Sequence, residues 1–183
     1  MTRSRILIGL LGCCLWSGLA AAPAPANGDL AQCAELELRV AGLFRVGTAL
    51  LYLDECGNAE RILESVPKQF SLVLARDFSG SDLVDSARST LKQNFGLSDA
   101  DELPDVLQCL ADAYIDADSG DRYDVIYRPD EGLGLYLNGD LVQSCEPASG
   151  AEKYFMIWFG EEPFHRRMRD RLLEQAREQA KSS

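Results

Sequence analysis

The chain has 183 residues, 46% of them hydrophobic, with 29 acidic and 18 basic side chains. That length suits one domain with a buried core and is too short for two comfortable ones. A net charge of −11 lacks the basic footprint that nucleic acid or an anionic membrane surface demands.

In chain order, residues 1–26 read as a secretory signal peptide. Arg3 and Arg5 open it, an uncharged apolar run covers residues 6–19, and small residues and prolines follow. Cleavage fits after Ala26 or just after Ala20; a cut after Ala22 would leave Pro23 next in line. Leu10-Leu11-Gly12-Cys13 imitates a lipoprotein box, but the apolar run continues past Cys13. Removal of residues 1–26 takes away Arg3 and Arg5 and leaves 29 acidic against 16 basic side chains, a net of −13. No later segment is long and apolar enough to span a membrane. The expected location is periplasmic or secreted. The expected domain covers residues 33–173, and residues 174–183 form a polar helix end.

Export gives the remaining cysteines a meaning. Cys33, Cys56, Cys109 and Cys145 are an even number in an oxidising compartment, which points to structural disulfides. None is in C-x-x-C spacing, and the single histidine, His165, has no second histidine to share a metal with, so no metal or cofactor is expected.

Leu36, Leu38 and Val40 alternate with charged residues and predict a strand with one buried face. Gly42 interrupts it, and residues 46–53 form a second strand that is apolar on both faces. Antiparallel pairing of these two about a turn at residues 42–45 brings Cys33 to Cys56, leaving Cys109 for Cys145 by elimination. A short helix is expected over residues 58–66, ended by Pro67, then a strand through Phe70, Leu72 and Leu74. Leu83, Ala87, Leu91 and Phe95 recur at i+4 on a helix capped by Ser79 or Ser81 and stopped by Gly96. A second helix begins at residues 98–104 and carries Leu103, Leu107, Leu110 and Tyr114. Asp99, Asp101 and Glu102 suit its N-terminal dipole.

Residues 120–163 are the most structured stretch on paper. Tyr123, Val125 and Tyr127 alternate with Arg122, Asp124 and Arg128; Pro129 to Gly132 turn the chain; Leu133, Leu135 and Leu137 make the next apolar face. Asn138-Gly139 signals a type I′ hairpin, and Leu141 and Val142 lead a third strand to Cys145. Ser149-Gly150-Ala151-Glu152 has the form of a capping box ahead of an apolar helix with Tyr154, Phe155, Ile157, Trp158 and Phe159. Pro163 stands where a last amphipathic helix, with Phe164, Met168, Leu172 and Ala176, would begin. Strands, two helices, strands and two helices make an α+β order with a mostly antiparallel sheet.

Gly120, Asp121, Tyr127, Pro129, Gly132, Asn138 and Gly139, followed by Ile157, Trp158, Gly160 and Pro163, resemble the chalcone isomerase-like family. Ala49 to Tyr52 and Leu74 to Asp77 extend the resemblance upstream, so that it covers about residues 36–173. It implies an open-faced β-sandwich with helices on one face of the sheet and a ligand cleft between them. Members of the family either cyclise a phenolic enone or bind a fatty acid through an arginine and hydroxyls. Carried onto this chain, the resemblance makes Arg39 the anion-binding arginine, with Thr48, Tyr52 and Arg76 as further ligand-binding candidates. The family's hydroxyl position falls on Gly47, which can neither order water nor give a proton. An apolar anion such as a fatty acid is therefore the expected partner. A chalcone-type isomerase and an envelope protein-interaction module are the alternatives. N-terminal sequencing of the exported protein is expected to give a start between residues 21 and 27; a terminus at Met1 or a lipidated Cys13 would overturn the processing assignment.

Overall fold

A computed structural model describes residues 30–40 and 44–182. The expected signal peptide and the expected turn near Gly42 lie outside the described residues. Six strands, β1 (Ala31–Val40), β2 (Phe44–Leu53), β3 (Lys68–Leu74), β4 (Arg122–Arg128), β5 (Gly132–Leu137) and β6 (Asp140–Cys145), form one sheet in sequential order. Every neighbouring pair is antiparallel. Four helices accompany it: α1 (Gly80–Phe95), α2 (Asp105–Ala111), α3 (Met156–Phe159) and α4 (Arg166–Ser182). This is the α+β order that the elements predict, in the open-faced sandwich that the family resemblance implies.

Period-2 alternation decides what faces the helices. Ala49, Leu51, Leu53, Phe70, Val125, Leu133 and Leu135 are buried there. The layers meet where Phe70 stacks on Trp158 with ring centroids 4.2 Å apart, while Phe155 and Tyr154 meet the same indole edge-on at 5.5 and 6.0 Å.

The meander is held by one clamp. Asn138 takes φ = 56° and Gly139 φ = 89°, as a type I′ turn requires. The Asn138 side chain accepts from Arg122 N at 2.9 Å and donates to Asp121 Oδ1 at 2.8 Å. Asp121 Oδ2 in turn accepts from Asp118 N. The aspartate and asparagine of the motif are thus partners in one network at the start of β4. Gly132 is required too, because a Cβ there would overlap the Cys145 carbonyl.

Cys33–Cys56 closes the open end of the β1–β2 hairpin, with Cα atoms 5.3 Å apart; Cys109–Cys145 ties α2 to the end of β6, at 6.2 Å. These are the two pairs named from the sequence.

Several local expectations change. Residues 56–61 form a 3₁₀ turn rather than an α-helix, since so short a segment gains little from α-helical nucleation. Helix α2 starts only after Pro104; Asp99 caps a separate 3₁₀ turn, Ala100–Glu102, by accepting from Asp101 N at 3.0 Å. The capping box is not made. Gly150, not Ser149, stands before the 3₁₀ turn Ala151–Phe155, in the left-handed region at φ = 88°, so the serine hydroxyl is one residue too early. Helix α4 begins three residues beyond Pro163, and His165 caps it by accepting from Met168 N at its Nδ1, 3.0 Å away. Arg122 and Asp124, polar positions of an alternating strand, are buried rather than solvated (4% and 0% exposed). They pair at 2.7 Å and share Ser71, Gln69 and Tyr52 as hydrogen-bond partners. Mutual neutralisation with nearby hydrogen bonds is what makes such burial tolerable.

Replacing Trp158 by alanine is expected to cost about 3–5 kcal/mol, because it empties the contact between the layers. Urea unfolding checks this, and a loss below about 1 kcal/mol would remove Trp158 from the core.

Candidate ligand cleft

The cleft lies where the sheet and helices separate. Leu38, Phe70, Leu72, Tyr123 and Val125 form its sheet wall; Leu83, Ser86 and Ala87 of α1, Ile157 and Trp158 of α3, and Phe164 and Met168 form the other. The space is about 80 Å³, partly open to solvent, and strongly apolar. Tyr114 adds a hydroxyl at one end, 3.3 Å from that of Tyr154. Tyr123 Oη donates to Ile115 O at 2.6 Å and accepts from Ile115 N at 3.2 Å. Burial pushes the Tyr114 phenol up to about 12 and raises those of Tyr154 and Tyr123. All three are neutral at physiological pH and can donate a hydrogen bond, but none is a ready base.

A second, wider groove of about 540 Å³ shares Leu38 with the cleft and is lined as well by Leu36, Glu37, Arg39, His165, Arg167 and Arg171. Its one carboxylate, Glu37, is divided between Arg39 at 2.6 Å and Arg45 at 3.0 Å. Arg171 pairs with Glu174 at 2.8 Å. Arg167 is exposed and has no ion pair among the described residues. Helix α4 carries Arg166, Arg167 and Arg169 near its N-terminus and no acidic residue in its first turn. The helix dipole favours the opposite arrangement. A chain with 29 acidic residues has thus gathered arginines where they are locally unfavourable.

The residues named from the sequence are not brought together. Arg39 borders the groove. Thr48 and Tyr52 lie on the sheet face away from the cleft; Tyr52 Oη accepts from Arg122 Nη2 at 3.2 Å. Thr48 stands between Glu37 and Val73 in the strand register. Arg76, beyond β3, lies over the Phe78 ring at 4.7 Å, while Asp77 accepts from Ser119 N. Gly47 is the strand neighbour of Leu38 and Leu74, and a Cβ there would overlap the Val73 carbonyl oxygen. That position therefore admits no hydroxyl side chain without a shift of β3. Sequence reasoning missed Tyr114, Tyr123, Phe164, Arg167 and Arg171 as site residues. The legible signal was the run of arginines from 166 to 171 at a helix start. Among the described residues, no group of His, Cys, Asp or Glu could hold a metal ion, and no helix is long and apolar enough to cross a membrane.

Lys68 is a buried cation of a different kind. It points into the core between the Tyr127 and Phe155 rings, 4.9 and 5.2 Å from their centroids. Its Nζ donates to Ile62 O at 2.8 Å and Glu64 O at 2.5 Å, which pins the turn before β3. It does not line the cleft.

The six-stranded meander with helices on one face and a small apolar cleft between the layers defines an α+β open-faced sandwich. The chalcone isomerase-like family matches residues 34–174, and the chain belongs to it. Among solved structures, the crystal structure of an Arabidopsis thaliana fatty-acid binding protein is similar with a TM-score of 0.60 and 19% identity, over 86% of this chain and 93% of that one. At that identity the likeness concerns the fold. A comparison with curated proteins finds no match.

Desolvation lowers the Lys68 pKa from 10.5 to about 8, against the opposing pull of Glu152, Glu64 and Asp54. Between pH 8 and 10 the unfolded chain holds a proton that the folded chain has released, so stability rises with pH. The slope approaches about 1.4 kcal/mol per pH unit at most. Above pH 10 the raised phenols of the cleft act in the opposite sense. Lys68→Met is expected to flatten the rise between pH 8 and 10 in denaturant titrations; an unchanged slope would place the effect elsewhere.

Proposed function

We propose that this protein is an exported, non-catalytic binder of an apolar anion of the fatty-acid class. The carrying observation is the adjacency of an apolar cavity and a groove that holds Arg39, Arg167 and Arg171, with Leu38 lining both. The hydrocarbon end of the ligand enters past Phe164 and lies beside the Phe70–Trp158 stack, against Leu83, Ala87 and Val125. The carboxylate lies near Arg167, the groove arginine that no carboxylate of the described residues occupies. Arg39 is a weaker partner, since Glu37 competes for it.

At about 80 Å³ the apolar cavity is well below the roughly 300–1,000 Å³ of common ligand pockets. It takes only the end of an acyl chain, and the remainder follows the groove. The likeness to a fatty-acid binding protein supports the ligand class, and the two disulfides fit a location outside the cytosol. The isomerase alternative loses support from Gly47 and from tyrosines held neutral by burial. The ligand-binding set inferred from the sequence is accordingly redrawn: Arg39 stays, and Arg167, Arg171 and Tyr114 replace Thr48, Tyr52 and Arg76.

Calorimetry with saturated fatty acids from octanoate to stearate is expected to show binding. Arg167→Ala is expected to weaken it roughly tenfold or more, the scale of one hydrogen bond to a charged group. Arg39→Ala is expected to weaken it less. Equal affinities in wild type and Arg167→Ala would move the carboxylate elsewhere. No fatty-acid binding, together with turnover of a chalcone, would assign the protein to the isomerases.

A further inference from the structure

We infer that the mouth of the cleft docks on a phospholipid bilayer, so that the apolar anion is exchanged at the membrane surface. This rests on the binding function proposed above and identifies where the ligand comes from. Among the described residues four large hydrophobic side chains are exposed: Phe44 at 63%, Leu141 at 57%, Ile115 at 48% and Phe164 at 44%. The two phenylalanines are chain neighbours of residues at the basic groove, Phe164 of His165 and Phe44 of Arg45, which pairs with Glu37. Phe164 lines the cavity and directly precedes His165. Phe44 is opposite Val40 in the hairpin register, next to the Arg39–Arg45 pair.

The mouth therefore combines two exposed aromatic rings with Arg39, Arg45, Arg167 and Arg171, against Glu37 and the outlying Glu174. Arginines whose stems lie along apolar surface beside aromatic rings suit a lipid interface, where the rings enter the acyl boundary and the guanidinium groups meet phosphates. Whole-chain charge argues against such a partner, but attraction to a surface fades beyond roughly a Debye length, about 8 Å in physiological salt. The local distribution then decides, and here it is basic. A second copy of the chain is a poorer occupant: across a two-fold axis the same arginines would face one another.

The test is co-sedimentation of the mature protein with vesicles of equal parts phosphatidylethanolamine and phosphatidylglycerol, and with vesicles of phosphatidylcholine alone. Binding is expected to the first, weaker binding to the second, and a loss of the difference in high salt. Phe44→Ser is expected to lower partitioning about tenfold or more, from the lost burial of one aromatic side chain. Arg45→Glu is expected to lower it by a similar factor on the anionic vesicles. Phe44 lines neither the cleft nor the groove, so Phe44→Ser should keep wild-type fatty-acid affinity in vesicle-free calorimetry, and both variants should keep wild-type circular dichroism. Absence of binding to both vesicle types, or equal partitioning of wild type and Phe44→Ser, would overturn the inference. So would a wild-type dimer in sedimentation velocity that Phe44→Ser dissolves, which would assign this face to a second copy. Vesicle binding without fatty-acid binding would remove the ligand and leave the surface; fatty-acid binding without vesicle binding would do the reverse.

Discussion

The stacking of Phe70 on Trp158 sets the separation between sheet and helices, and the cleft depends on that separation. At a centroid distance of 4.2 Å the two layers are in contact, and beside that contact they cannot close completely. The large rings hold them apart while smaller side chains, Ala87 and Val125 among them, leave the gap. The helix that carries Trp158 is held by its own flank. A Cβ on Gly160 would overlap the Asn94 side chain. Asn94 bonds Glu162 O at 2.7 Å and Glu162 N at 3.1 Å, fastening the end of this segment to α1. The tryptophan and glycine of the family motif thus have separate jobs: one spaces the layers and the other lets them dock.

Charge is the second organising element, and it is separated by environment. The sheet face away from the cleft buries a compensated group, Arg122 with Asp124, within a set of neutral hydrogen-bond partners. The core buries Lys68 and satisfies it with backbone carbonyls. At the cleft mouth arginines outnumber carboxylates and remain in reach of solvent. Burial selects for pairing, because an unpaired buried charge costs several kcal/mol. Exposure relaxes that demand, and an uncompensated arginine can persist there for an anion to use.

The sequence alone made the sheet legible because hairpins are local. Asn138-Gly139 and Gly132 determine turn geometry within a few residues, and the alternation on either side determines register. The helices were less legible at their ends. Gly150, Pro104 and His165 each displaced a boundary, because the residue that caps a helix depends on how the chain enters from the neighbouring element. The site was least legible. Tyr52 and Arg39 are both strand residues bearing polar groups, and the sequence pattern does not say which of the two reaches the cleft.

What the sequence by itself determined was the α+β order, the antiparallel meander, the pairing of cysteines across the first hairpin and the family to which these belong. Each follows from contacts between near neighbours or from residue types that tolerate one backbone conformation. The tertiary structure alone decided that Arg122, Asp124 and Lys68 are buried, that Thr48 and Tyr52 face away from the cleft, and that Arg39 and the arginines of α4 share one groove. Those outcomes join residues far apart in the chain, 70 positions for Arg122 with Tyr52 and more than a hundred for Arg39 with Arg167. Side-chain chemistry is written in the sequence, but the surface a side chain shares with distant residues exists only once the layers have packed.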